Sequence, residues 1–441
     1  MNTDQPVLLL VGAVGPDPSA ADVAVTTLNQ ARARGFRTHL IDTSVGLATD
    51  VTTAADQLSL VDVESPGDAV AWARAQRRRG ARVDAVLGVR ESVDVTVAEL
   101  ATELGVPGNA PHAVRAVRDK AACRGLLRDA GHLQPAFRVC VDAAEAAAFL
   151  AESSGPWVVK PVTGGGGMGV SKVRGPIDLP SAVAALPVPG PFLVEEFVTG
   201  REFSAEGLFV GGVAHVLALT VKEKLPSPYF VELGHVAPAE LPADTQREIE
   251  HEVVAALATL ELTYGFFHVE LWLNPGGVVV GEVHVRIGDS WTHLMLGHAL
   301  PGVDLFGVAC ADAIGKRPTG QKPAPVRAAA VRFFDPSPGR LVAVHGWQRV
   351  LDDPAVLHAE LTVAPGDTIV SIEDATDRVG AVVVGGRTPA AARALAWELA
   401  ASVRFEVTTG DRDADEFAVV PELPALGKPA WQLEPRDIVR R

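Results

Sequence analysis

The sequence predicts a multidomain protein of mixed α/β and α+β class, on three observations. Apolar runs alternate with amphipathic stretches over the first hundred residues. Four consecutive glycines interrupt two β-branched segments near residue 165, and two strands of alternating pattern flank the turn Asn274-Pro275-Gly276-Gly277. A chain of 441 residues exceeds what a single hydrophobic core ordinarily organises, so two or three cores are expected.

Residues 7–14 read as a buried strand, 20–34 as a helix closed by Gly35, and 36–41 and 83–89 as two further buried strands. This is the alternation of a parallel sheet. Gly12, Gly15 and Pro16 make only half of a dinucleotide fingerprint, and a tight turn after the first strand is the simpler reading. Helices follow at 93–104 and 111–130. A sheet-rich lobe then begins near 136, with short strands at 156–162, 170–174 and 192–194. A helix at 243–260 precedes the hairpin of 268–273 and 278–286. Residues 316–325 have the composition of a linker, and 326–407 alternate strands with one helix at 389–402. The expected divisions are an N-terminal α/β domain (1–115), a central domain (116–325, glycine-loop lobe 136–198), a small C-terminal α+β domain (326–410) and a tail (411–441). Composition does not decide whether that tail is an ordered strap or mobile.

The net charge of -15 opposes nonspecific attraction to phosphate polymers. The one tight basic run, Arg77-Arg78-Arg79, reads as a helix C-terminus complementing its dipole. Cys123, Cys140 and Cys310 are too scattered for a disulfide framework or structural zinc. The start lacks a basic leader, and no apolar stretch approaches the roughly 20 residues that span a bilayer. A soluble cytoplasmic protein acting on small molecules is expected, with neither nucleic acid nor membrane as partner. Oligomeric state is open, a homodimer being the candidate assembly.

Three segments carry chemistry. In Trp157-Val-Val-Lys160-Pro161-Val-Thr-Gly164-Gly165-Gly166-Gly167-Met168-Gly169 a strand ends at a lysine and a bare backbone follows. Glycines let N–H groups close on phosphate oxygens, and the lysine adds a point charge. Gly164, Gly166 and Gly169 satisfy G-x-G-x-x-G, but a strand-like run follows where a dinucleotide site needs a helix. Next, Glu195-Glu196-Phe197-Val198 leads to Glu202. Main-chain groups there suit an adenine edge, and Glu202 suits ribose hydroxyls. In the hairpin, strand alternation puts Glu282, His284 and Arg286 on one face, with Glu270 on the partner strand nearly opposite Glu282. Like charges so placed repel unless a cation bridges them, and Mg²⁺ prefers carboxylate and phosphate oxygens. Arg286 and Gly288 would then hold a carboxylate or acyl phosphate beside the metal.

Arg118-Asp119-Lys120, Val159-Lys160-Pro161, the glycine loop, Glu195 to Glu202, and Glu270 with Glu282-x-His284-x-Arg286 together resemble an ATP-grasp enzyme over residues 85–300. The resemblance implies an N-terminal pre-ATP-grasp domain, ATP clamped between two lobes, Lys120 and Lys160 on the phosphates, Mg²⁺ or Mn²⁺ as the metal, and ligation through an acyl phosphate. Residues 234–241 and the C-terminal segment resemble the L-amino acid ligase branch. That likeness implies that Glu91 and His235 contact a substrate amino acid, Lys224 approaches the phosphates and Trp291 limits the pocket. The family commonly carries asparagine where His284 stands, and imidazole suits softer ions than Mg²⁺. His284 therefore either binds through nitrogen, leaves its place to water or orients a phosphate.

The expected function is a carboxylate-amine ligase forming an amide, its glycine loop closing as a lid. Three rivals remain: a carboxylase of the same superfamily, a nicotinamide dehydrogenase, and a catalytically silent nucleotide-binding module.

Overall fold

The computed structural model describes residues 5–15, 19–43, 49–225, 230–317, 322–408 and 417–418. Pro16, part of the linker and almost all of the tail lie outside the described residues.

The N-terminal unit is a parallel sheet in the order Gln57–Leu60, Arg37–Asp42, Val7–Val11, Ala85–Gly88. Val7–Val11 is buried on both faces, which explains its unbroken apolar run. Leu8 and Leu10 pack with Val23 and Leu28 of helix Ser19–Ala33 and with Leu305 and Phe306. Leu9 and Val11 face Ala69 and Ala73 of helix Pro66–Arg78 and Leu100 of helix Asp94–Leu104. The sequence reading missed the edge strand Gln57–Leu60, which is largely exposed and so carries no burial signal. Arg77 and Arg78 do form the last turn of their helix.

The segment read as one helix over 111–130 is two, Pro111–Arg118 and Lys120–Asp129. Asp119 is extended, and its carboxylate accepts from the backbone N–H of Ala121 and Ala122, both at 2.9 Å. An N-cap aspartate starts a new helix there and sets Lys120 in its first turn.

The glycine-loop lobe is an antiparallel sheet in the order Phe137–Cys140, Phe192–Glu196, Trp157–Pro161, Ser171–Val173. Helices Ala143–Glu152 and Leu179–Ala184 cover it through Phe149, Leu150 and Leu179. The strand after the glycines leaves no helix to make a dinucleotide site.

An eight-stranded sheet dominates the rest. Its order is Gly277–His284, Phe266–Asn274, Arg201–Val210, Val213–Lys224, Glu232–Ala237, Ala328–Phe333, Gly380–Gly386, Val356–Leu361. Strands from beyond the linker thus continue the central sheet by pairing Gly234–Ala237 with Ala329–Arg332. One face packs on helix Ala243–Thr259 through Ile249, Val253, Ala256 and Leu257. These fall at helical spacing, and each large aliphatic so buried contributes roughly 1.5–3 kcal/mol. Farther along, helix Pro389–Ser402 covers one face and helix Thr292–Ala299 the other. A short helix, Trp347–Asp352, joins the one expected in this region, and a small sheet in the order Thr368–Ile369, Gly339–His345, Arg404–Thr408, Phe417–Ala418 completes it. Among the described residues no helix is long and apolar enough to cross a membrane.

Two buried ionisable side chains bear on stability. Arg124, 1% exposed, grips Glu195 bidentately, Nε to Oε2 at 2.5 Å and Nη2 to Oε1 at 3.0 Å. Removing Arg124 leaves the buried Glu195 with Lys160, at 2.9 Å, as its remaining cation and with one oxygen that has lost its donor. Arg124→Met should lower stability by about 1–3 kcal/mol in urea denaturation; an unchanged denaturation midpoint would refute the account. Asp94 is raised to about 8, first by burial and then by Glu91, against the pull of Arg286. The unfolded chain loses this proton near pH 4 while the fold retains it. Ionisation therefore costs stability progressively from about pH 4 to 8, at about 1.4 kcal/mol per pH unit. Asp94→Asn should gain on the parent protein across that window in pH-dependent melting, and a constant difference between the two would refute the assignment.

Candidate active site

The face of the central sheet opposite helix Ala243–Thr259 carries the chemistry. Alternation sends Phe203, Ala205, Val269, Leu271 and Val283 into the core and leaves Ser204, Glu206, His268, Glu270, Glu282 and His284 on the other side. Across the ladder Glu270 pairs in register with Glu282 and His268 with His284. On the opposite flank the same two residues pair with Ser204 and Glu206. The expected opposition of the two acids is therefore met. A bulge next to Glu270 is accommodated by Gly281, where a Cβ would stand 2.2 Å from the Trp272 ring.

Facing carboxylates in a buried site need cations. Lys222, 4% exposed in its side chain, contacts Glu270 and lies 3.3 Å from Glu232. Lys120 is 3.2 Å and Lys160 3.7 Å from Glu282. Burial works against ionisation of both acids, but Lys222 and His268 at Glu270, and Lys120 and Lys160 at Glu282, outweigh it and hold both pKa values down. His268 lies 2.8 Å from Glu206 and 3.4 Å from Glu270. Burial disfavours its charge, yet those carboxylates lift it to about 9, so it is an imidazolium at neutral pH.

The glycine loop folds over this face. Gly164, Gly166, Gly167 and Gly169 all have positive φ, a conformation that side chains resist. Lys120 Nζ donates to Gly164 O at 2.5 Å and its backbone N–H to Val162 O at 3.0 Å. Gly165 backs onto Glu91, Gly166 O accepts from Ala375 N at 3.1 Å, and Met168 is 46% exposed. Lys160 lies between Glu195, at 2.9 Å, and Glu282. In the hinge segment 195–198, which leads from the glycine-loop lobe to strand Arg201–Val210, Phe197 lies under Lys172 at 3.6 Å, and Val198 leads to Glu202, which accepts from Trp272 Nε1 at 3.0 Å and pairs with Lys224 at 2.7 Å.

At the far end Glu91 contacts Arg118, Arg286 at 3.4 Å and His284 at 3.5 Å. Burial disfavours its ionisation, but His284, Arg286 and Arg118 together depress its pKa strongly. Arg286 also donates to Asp289 at 2.7 Å. Burial keeps His235 neutral by lowering it to about 3, and its Nε2 has no hydrogen-bond partner among the described residues. Ser290 and Trp291 sit consecutively at φ 61 and 63, a left-handed pair costing of order 1–3 kcal/mol each, and the indole donates to Glu360 at 3.3 Å.

One cavity of about 920 Å³ gathers these groups, with two exceptions among the expected site residues. Glu196 turns away and accepts from Ser154 N at 2.8 Å and Ala136 N at 3.3 Å, which ties the lobe's turns together. Gly288 supplies clearance, since a Cβ there would stand 2.7 Å from His268 and 3.0 Å from Glu206. Among the described residues no three His, Cys, Asp or Glu side chains form a closed metal cage. Sequence reasoning missed Lys222, Glu232, Glu360 and the charged role of His268. Lys222 had a visible signal, because it alternates with Lys224 on one strand face; the other three depend on long-range packing.

The geometry agrees with what this chain is similar to. Residues 153–293 match the ATP-grasp domain and residues 332–408 the L-amino acid ligase C-terminal domain 2. The uncharacterized protein y4rH of Sinorhizobium fredii is 30% identical over 361 residues, covering 79% of this chain and 74% of that one. Carnosine synthase 1 of Gallus gallus is 27% identical over 72% of this chain and 36% of its own length. The crystal structure of L-amino acid ligase from Bacillus licheniformis superposes with TM-score 0.78 at 24% identity, over 92% of this chain and all of that one. With the paired carboxylates, the strand-loop-strand glycine run and these matches together, the chain belongs to the ATP-grasp carbon–nitrogen ligases and resembles their L-amino acid ligase branch.

Proposed function

We propose that the chain joins the carboxylate of an amino acid, or a similar acid, to the amine of a second substrate, converting ATP to ADP and phosphate through an acyl phosphate. The observation that carries this reading is the in-register Glu270–Glu282 pair, held ionised in one cavity with the glycine loop and Arg286. Similarity to proteins named L-amino acid ligase and carnosine synthase supports amino acids as substrates. The three buried free cysteines suit a reducing cytoplasm.

The donor set fits Mg²⁺ or Mn²⁺. Mg²⁺ is commonly held by one or two carboxylates together with phosphates rather than by an all-protein cage. Glu270 and Glu282 supply the hard oxygens, while His284 offers nitrogen and suits the metal less. Such an ion, when bound, screens phosphate charge and polarises the transferred phosphoryl group.

The chain's own groups act around it. Lys120 and Lys160 hold phosphate oxygens, and the glycine loop offers backbone N–H groups and excludes water. Arg286 orients the substrate carboxylate bidentately. Its oxygen attacks the γ-phosphorus as the bond to the β–γ bridging oxygen breaks, releasing ADP. The amine nitrogen then attacks the acyl carbon, the bond to the phosphoryl oxygen breaks, and phosphate departs while the amine loses a proton. The departing phosphate can carry that proton away.

Glu282→Gln should reduce amine-dependent ADP release by on the order of 10²-fold or more; undiminished turnover would rule out its role. Chelation by EDTA should abolish ADP release and added Mg²⁺ or Mn²⁺ restore it, so full turnover in EDTA would overturn the metal assignment. Labelled bicarbonate entering the product would favour a carboxylase instead.

A further inference from the structure

Each acid on the cavity wall but one is matched by a lysine or arginine. Glu91 has Arg118 and Arg286, Glu195 has Lys160, Glu202 has Lys224, Glu232 and Glu270 share Lys222, Glu282 has Lys120, and Asp289 has Arg286. Glu360 is the exception. It stands on strand Val356–Leu361 of the C-terminal region and lines the same cavity, its side chain 23% exposed. Among the described residues it pairs with no lysine or arginine. Its neighbours are the Trp291 N–H at 3.3 Å and His358 Nε2 at 3.6 Å, beyond hydrogen-bond length. The His358 ring lies on the indole at 3.7 Å between centroids.

We propose, on the ligase reading above, that Glu360 determines specificity by pairing with a cationic side chain, so that one of the two joined amino acids is basic. A half-buried carboxylate beside an aromatic wall has lost water without gaining a counter-ion, and an ammonium or guanidinium completes it. Trp291 is itself 4% exposed with the His358 ring on its indole, so its part is to hold Glu360 in place through the N–H. The partner is defined by charge at the end of a side chain, which separates it from neutral amino acids of equal length.

The test compares arginine with citrulline, its uncharged near-isostere, in ADP release and product mass, for the parent protein, Glu360→Gln and Glu360→Ala. Glutamine still accepts from the Trp291 N–H and removes only the charge. The parent protein should prefer arginine, and in Glu360→Gln the arginine-to-citrulline ratio of kcat/KM should fall roughly tenfold to hundredfold, as for loss of a hydrogen bond to a charged group. Glu360→Ala, which also frees the indole, should lose at least as much. Calorimetric binding of both amino acids, with Mg²⁺ and a non-hydrolysable ATP analogue, separates recognition from chemistry. Arginine binding that depends on Glu360 without any ADP release supports this subsite and overturns the ligase reading. Ligation of neutral pairs with no arginine preference, or an unchanged ratio in Glu360→Gln, overturns the subsite and leaves the ligase reading standing.

Discussion

The site depends on one constraint, that a carboxylate buried deeply and kept ionised must meet a cation. Satisfying it produces a chain of alternating charge from Arg124 through Glu195, Lys160 and Glu282 to Lys120. A second branch runs from Glu270 through Lys222 and Glu232 to Arg378. The members are drawn from several stretches of sequence, so the network couples the helix after Asp119, the glycine-loop lobe, the central sheet and the C-terminal region. Isolated ion pairs at a surface would contribute little; buried and shared, each becomes expensive to disrupt.

The same network prepares the chemistry. On the proposed reading, Lys120 and Lys160, which neutralise Glu282 in the protein alone, would turn to phosphate oxygens, and the acid they release would be a hard donor for a divalent ion. Glu91, Arg118, Arg286 and His284 repeat the arrangement at the far end of the cavity. The contact of Gly166 O with Ala375 N brings the C-terminal region against the glycine loop. The cavity is therefore bordered by three parts of the chain.

Much of this was legible because strand alternation is a local property. The placement of Glu282 and His284 on one face, and of Glu270 opposite, followed from a period of two and a short turn, and the ladder has that register. The strand-like run after Gly169 likewise argues against a dinucleotide site from local pattern alone. The edge strand Gln57–Leu60 and the break at Asp119 were less visible. An exposed edge lacks hydrophobic periodicity, and an interior aspartate in an otherwise helical pattern becomes a cap only when its backbone is extended.

Sequence by itself determined the class of fold, the order of the phosphate loop, hinge and acidic hairpin, and the residue types able to bind a nucleotide and a metal. These depend on local periodicity and side-chain chemistry. Tertiary structure alone decided which acids were already neutralised, that Glu196 and Gly288 support the site from outside the cavity, that Lys222 and Glu232 belong to it, and that Glu360 faces it without a strong cation. Those outcomes depend on which distant segments a sheet brings into contact, and on the electrostatic balance that burial then enforces.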